Sequence, residues 1–317
     1  MTPPFCKCDE NIEMRYSKGL GIINSVMSIL KEISFGIYYY EVALLLRNSL
    51  FINGILFNVE ALVNLKPKHI KSLESCDFKL MQSLFLSPVS TPHEAYFIET
   101  STIPIKFVLV GKRLMYLWNL LQKSERGLAK QVLLAQIEFP STGDWVSQVR
   151  EDLISCEIHL SFQEIKQMKR GYFKQLVDKR IKYITKCYLT KVQSEHSKTS
   201  NLIYSDKPQP YLLSDRLTLL EKQTLFKLRC KVNICKESFK SSHLNDMKWV
   251  ICDKPNTYDS VQHYIHCEVL IGSADLQPDI KHIRYEDLFS NLESQVRFIK
   301  VWMKIEEKRS KMTNSVL

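Results

Sequence analysis

Cys252, His263, His266 and Cys267 fall within one sixteen-residue stretch, CDKPNTYDSVQHYIHC. Thiolate sulfur and imidazole nitrogen are the donors that zinc takes in fours. His263 and Cys267 are four residues apart, so one helical turn can bring both to a tetrahedral ion. A Cys three residues before Cys252 would complete a Cys-Cys-His-Cys set, but Trp249 stands there. His266, Cys235 and His243 are the available fourth donors. Cys252, His263 and Cys267 alone leave an open site, so weak zinc binding is the most this pattern predicts. The structural alternative buries both cysteines and leaves the histidines exposed.

A second kind of chemistry is concentrated between Leu160 and Lys198, where ten Lys or Arg face three acids. That segment therefore carries +7 of the chain's +10. Phe162, Ile165, Met168, Tyr172, Leu176, Ile181, Ile184 and Tyr188 recur there at helical spacing. The pattern predicts an amphipathic basic helix, or two broken near Gly171, packing one stripe and turning its cations outward. Lys166, Lys169, Arg170, Lys174, Lys179, Arg180, Lys182 and Lys186 are the candidate phosphate contacts. Neutralising phosphates releases counterions, so such a face binds RNA or DNA backbone with steep salt dependence. The competing use is a solvated, solubilising face with no partner. The apolar side has no Trp, which argues against a membrane-surface helix.

Catalytic constellations are missing. Two-metal nucleotidyl transfer needs clustered carboxylates, and the chain contains no Asp-Asp dipeptide. It also lacks a Gly-rich phosphate loop, a nucleophile elbow and a zinc-protease helix signature. No catalytic residue and no small-molecule substrate are predicted.

The elements that must position these groups are helices. Nine Gly and 11 Pro are few for 317 residues, and 45% hydrophobic residues suffice for real cores. Leu20, Ile23, Val26, Met27 and Leu30 mark one face of a helix over 12–33, and a second, mostly apolar helix is predicted over 38–62. Gly54 within it points to close packing. Glu41 and Arg47 interrupt the most apolar stretch, 37–57, so it is read as a buried helix and not a membrane span. Ser or Thr followed three residues later by Glu can satisfy free backbone donors in both directions. Thr91/Glu94, Ser161/Glu164, Thr218/Glu221 and Ser290/Glu293 are four such predicted helix starts, with Pro92 at a first helical position. Pro140 and Gly143 mark a break at 139–144, and Ser, Asn, Pro and Lys gather at a stronger one over 198–213. The nine cysteines are odd in number and irregularly placed, and no signal-peptide pattern opens the chain, so reduced thiols and an intracellular location are expected.

Five blocks resemble the region C-terminal to the palm in LINE-type (non-LTR) retrotransposon reverse transcriptases. They are LLLRNSLFINGILFNVEAL (44–62), PVSTPHEAYFIETSTIPIKFVLVGKRLMYLWNLL (88–121), DWVSQVREDL (144–153), KPQPYLLSDRLTLLEKQTLFKLR (207–229), and the Cys-His segment followed by IRYEDLFSNLESQVRFIKVW (283–302). The resemblance implies a mainly α fold: a thumb-like helical region over 1–140, basic helices over 141–198, a linker over 199–213, and a knuckle-like module with a terminal helix over 214–317. It makes Cys252, His263 and Cys267 the second, third and fourth knuckle ligands, with Trp249 in place of the first. It also implies that palm and endonuclease lie upstream of Met1, as in a truncated element copy. The expected function is nucleic-acid binding by a fragment inactive alone. The alternative from another class is a helical interaction or structural protein, co-opted by its host or a non-functional remnant.

With Trp249 in the first-ligand position, native mass spectrometry is expected to find no stoichiometric zinc that resists a chelator. A retained, one-to-one zinc would refute this and point to Cys235, His243 or His266 as the replacement ligand.

Overall fold

The computed structural model describes residues 8–32, 38–195, 197–232, 260–267 and 283–316, and every regular element among them is a helix. Helix α1 spans Cys8–Glu32. Helix α2 (Tyr39–Leu46) runs through a π-helical turn (Arg47–Ile52) into the short α3 (Asn53–Ile55). A 3-10 turn (Val59–Ala61) precedes α4 (Pro67–Phe85), α5 (His93–Thr100) and α6 (Ile105–Gln122). Then come α7 (Leu128–Glu138), α8 (Trp145–Ser155), α9 (Phe162–Gln167) and α10 (Arg170–Glu195). The last are α11 (Pro210–Leu213), α12 (Leu219–Arg229), α13 (Val261–Tyr264), a 3-10 turn (Tyr285–Phe289) and α14 (Leu292–Val316). The expected mainly α class holds, and no helix among the described residues is long and apolar enough to cross a membrane.

Two of the four predicted capping boxes form as written. Ser161 Oγ accepts from Glu164 N–H while the Glu164 carboxylate accepts from Ser161 N–H, and Thr218 and Glu221 do the same. The other two differ. Thr91 is buried and its hydroxyl donates to the Pro88 carbonyl, so Pro92 becomes the N-cap of α5 and not its first helical residue. At α14 the cap moves one residue on: Asn291 Oδ1 accepts from Ser294 N–H, Ser290 donates to the Asp287 carbonyl, and Glu293 pairs with Arg216 at 2.5 Å. The helix predicted over 38–62 stops early, because Asn58 adopts a left-handed conformation with φ 57°. Leu45, Leu50 and Phe57 are also exposed, so this stretch is less central than its composition implies.

By contacts the chain forms two compact units, each gathering three separated stretches. The first comprises residues 1–29, 43–81 and 102–191. Its best-packed part surrounds α6, which meets α7, α8, α9 and the Val59–Ala61 turn. Leu114, Leu117, Trp145, Val149, Phe173 and Val177 are among the residues buried there. Two arginines are also interred. Arg47 Nε and Nη2 fork onto Asp77 at 2.8 and 2.5 Å, with a further bond from Nη2 to the Ile103 carbonyl. Arg113 forks onto Asp152 at 2.6 and 3.0 Å. A Cβ on Gly54 would lie 2.5 Å from Ile22 Cδ1, in agreement with the close packing expected there.

The second unit comprises residues 30–42, 82–101 and 192–317. Tyr40, Phe85, Tyr96 and Phe226 form a buried aromatic cluster, with Phe85 and Phe226 centroids 4.1 Å apart. Beside it Glu99, fully buried, accepts from Tyr211 Oη at 2.7 Å and from Arg229 Nη2 at 2.9 Å. Arg229 also donates to the Leu288 carbonyl, and burial, which would lower its pKa, is outweighed by Glu99.

Burial pushes Asp152 up to about 6 while Arg113 pulls the other way. A carboxyl whose folded pKa exceeds its unfolded value near 3.8 contributes most stability at low pH and loses it as pH rises through the folded value. Arg113→Gln removes the opposing charge, so its cost must grow with pH. A loss of about 3–5 kcal/mol is expected at pH 8 and a clearly smaller one at pH 5. Equal losses at both pH values in thermal unfolding would show that Asp152 does not depend on Arg113 for its charge.

Candidate nucleic-acid interface

The basic segment folds as two helices, and the side chains of α6 explain where it breaks. Met168 turns extended with ψ 140°, ending α9. The carbonyls released there find partners on α6: Trp118 Nε1 donates to Met168 O at 3.0 Å and Gln122 Nε2 to Lys166 O at 2.7 Å. The break therefore lies at Met168–Lys169. Gly171 sits inside α10 with open space around its Cβ position, so it is not the cause.

Helix α10 buries Phe173, Val177, Ile181, Thr185 and Leu189, one residue in every four. This differs in register from the predicted stripe. Tyr172 is 64% exposed, and Leu176, Ile184 and Tyr188 flank the buried line. Each fully buried large side chain contributes about 1.5–3 kcal/mol. The helix is thus fixed to the first unit by its apolar line, however its charges are engaged.

Four-residue spacing keeps side chains on one helix face. Arg170, Lys174, Lys182 and Lys186 therefore form a single row directly beside the buried line, with Asp178 as its one acidic member. The rise between consecutive members is about 6 Å. The structure does not gather all eight candidates into this row. Lys179 follows it on the outer face near the exposed Tyr183, and Lys166 and Lys169 sit at the break. Arg180 lies on the opposite flank, 3.0 Å from Glu157. All eight are exposed except Arg180, which is half-buried.

Two of the cations already have acidic neighbours, Lys174 with Asp178 at 2.5 Å and Arg180 with Glu157. Exposed pairs of this kind are worth about 0–1 kcal/mol, so a phosphate can displace either carboxylate. Lys166 acts at a distance as well. Buried Lys130 donates to the Leu121 carbonyl at 3.0 Å, and its pKa is lowered first by burial and then by the Lys166 charge. Added anionic charge at Lys166 would relieve that repulsion.

Helix α6 supplies cations that the count over 160–198 misses. Lys106 Nζ lies 3.4 Å from the centre of the Tyr188 ring, and Phe107 meets the same ring edge-on at 5.5 Å. Lys112 reaches Asn53 at 3.4 Å and lines a cleft of about 380 Å³, as do Lys174 and Asp178. The signal available was a pair of lysines inside a largely apolar helix that also carries Arg113.

Of the candidate metal ligands, His263 is half-buried on α13 and Cys267 is buried just beyond it. Ser260 caps α13 by accepting from His263 N–H, and Tyr264 stacks on Trp302 of α14 at 5.8 Å. His266 is exposed. Cys252, Trp249, Cys235 and His243 lie outside the described residues, and among the described ones no three His, Cys, Asp or Glu are grouped to hold a metal ion. No family model, curated protein or solved structure matches the chain.

Proposed function

We propose that this chain holds RNA or DNA by its phosphate backbone along α9 and α10, and performs no catalysis by itself. The observation that carries this reading is the row Arg170, Lys174, Lys182 and Lys186 on a helix whose neighbouring line is buried. Such a row stays in place when its charges are neutralised. Four cations spread over about 24 Å of helix face one phosphate per about 3.4 Å of strand, so about half of the phosphates along it can be met. Such contacts tolerate any base sequence. The five sequence blocks support placing this holding function in the region after the palm of a LINE-type reverse transcriptase, with copying chemistry supplied by a palm.

Fluorescence anisotropy with a labelled single strand tests the reading. Four phosphate contacts on a single strand imply a slope of about −3 in log affinity against log salt. Arg170→Glu, Lys182→Glu and Lys186→Glu together are expected to abolish binding at moderate salt. Reversing the exposed Lys18, Lys31 and Lys71 changes net charge equally and should cost far less. Equal losses in the two triple variants would mean that net charge, and not this row, attracts the strand. Affinity undiminished in the first variant would remove the α10 face from the interface, and absence of binding in the unaltered chain would favour a purely solubilising role.

A further inference from the structure

Helix α10 carries two exposed tyrosines, and they stand on different sides of it. Tyr172 is 64% exposed and Tyr183 48%. Exposed rings are ordinary on a helix surface, so exposure by itself decides nothing. Position separates the two. Two residues along a helix is more than half a turn, so Tyr172, midway between Arg170 and Lys174, points away from the cation row.

Tyr183 is set among cations instead. Lys179 is four residues before it and Lys186 three after, spacings that put side chains on one face, and Lys182 adjoins it from the row. The acid whose charge Tyr183 registers, Glu157, is paired with Arg180 at 3.0 Å on the flank away from the row. The hydroxyl end of the ring is tied down: Cys187, one turn on and itself exposed, shares a hydrogen bond with it. Tyr188 offers a contrast, because Lys106 Nζ already covers its ring at 3.4 Å and Phe107 meets it edge-on.

A half-open ring bordered by ammonium groups suits a ligand that joins an anion to a flat apolar face. A nucleotide is such a ligand. With its phosphate at Lys182 or Lys186, its base hangs one sugar away, over the neighbouring position that Tyr183 occupies. Every base has a π-face, so stacking there tolerates any sequence, but the face must be open and not already stacked within a duplex. We infer that Tyr183 is a stacking platform for one unpaired base of a strand held along α10. The inference rests on the backbone-holding reading and adds to it a contact with the bases.

The test compares a labelled oligothymidine with an abasic strand of equal length, each bound to the full chain. The phosphates are the same in number, so both strands are expected to show the same salt slope, with the oligothymidine bound about tenfold more tightly. Tyr183→Ala should bring the oligothymidine down to the abasic level, Tyr183→Trp should keep the difference, and Tyr172→Ala should leave it unchanged. Alkylation of Cys187 by a maleimide, read by peptide mass spectrometry, reports on the same spot in the unaltered chain. At equal occupancy the oligothymidine should slow it several-fold more than the abasic strand. Equal affinity for the two strands, a difference that survives Tyr183→Ala, equal losses from both alanine variants, or equal protection of Cys187 would overturn the inference. Salt-dependent binding of both strands would then still support the backbone reading, whereas binding of neither would remove both.

Discussion

A helix with a row of cations along one side repels itself and gains little from its exposed face, so it needs an anchor that its charges do not supply. Here the anchor is the line Phe173, Val177, Ile181, Thr185 and Leu189 pressed into the first unit, with α6 fastened to the α9 end through Trp118 and Gln122. The two hydrogen bonds from α6 reach carbonyls that a continuous helix would have used internally. They stop α9, set the start of α10 and so fix which side chains follow the buried line. Shifting the break by one residue would turn a different set of side chains outward.

The buried arginines constrain the folds of both units in a different way. Arg47 with Asp77, Arg113 with Asp152 and Arg229 with Glu99 are each nearly inaccessible. Pairs of this kind contribute little net stability against apolar replacements, yet removing one partner is expensive. Their effect is to penalise wrong packings, because a misplaced helix strands a charge in the interior. Arg47 shows the local consequence: a residue that would be costly in a bilayer is accommodated within a π-helical turn, with a fork onto Asp77 and a carbonyl.

What the sequence shows most clearly is whatever is decided within a few residues. Ser161 and Thr218 cap where their spacing says, since both partners lie inside one turn. Thr91 and Ser290 have the same spacing and fail, because each hydroxyl finds a nearer carbonyl, at Pro88 and Asp287. The basic helix pair is legible from composition and period. The register of its buried face is not, because Tyr172 and Phe173 are adjacent aromatic residues that each fit a helical stripe, and packing in the first unit separates them.

The aromatic cluster of the second unit has a consequence for how the chain is made. Tyr40 leaves the ribosome before Phe85 and Tyr96, and Phe226, which lies against Phe85 and Tyr96, comes long after all three. Until then the first three rings lack the residue that completes their packing, while the intervening residues include much of another unit. Contacts this distant along the chain close slowly and leave apolar surface open to other molecules meanwhile. Synthesis of this protein therefore passes through an interval in which these aromatic residues cannot yet pack against Phe226 and stay open to other molecules.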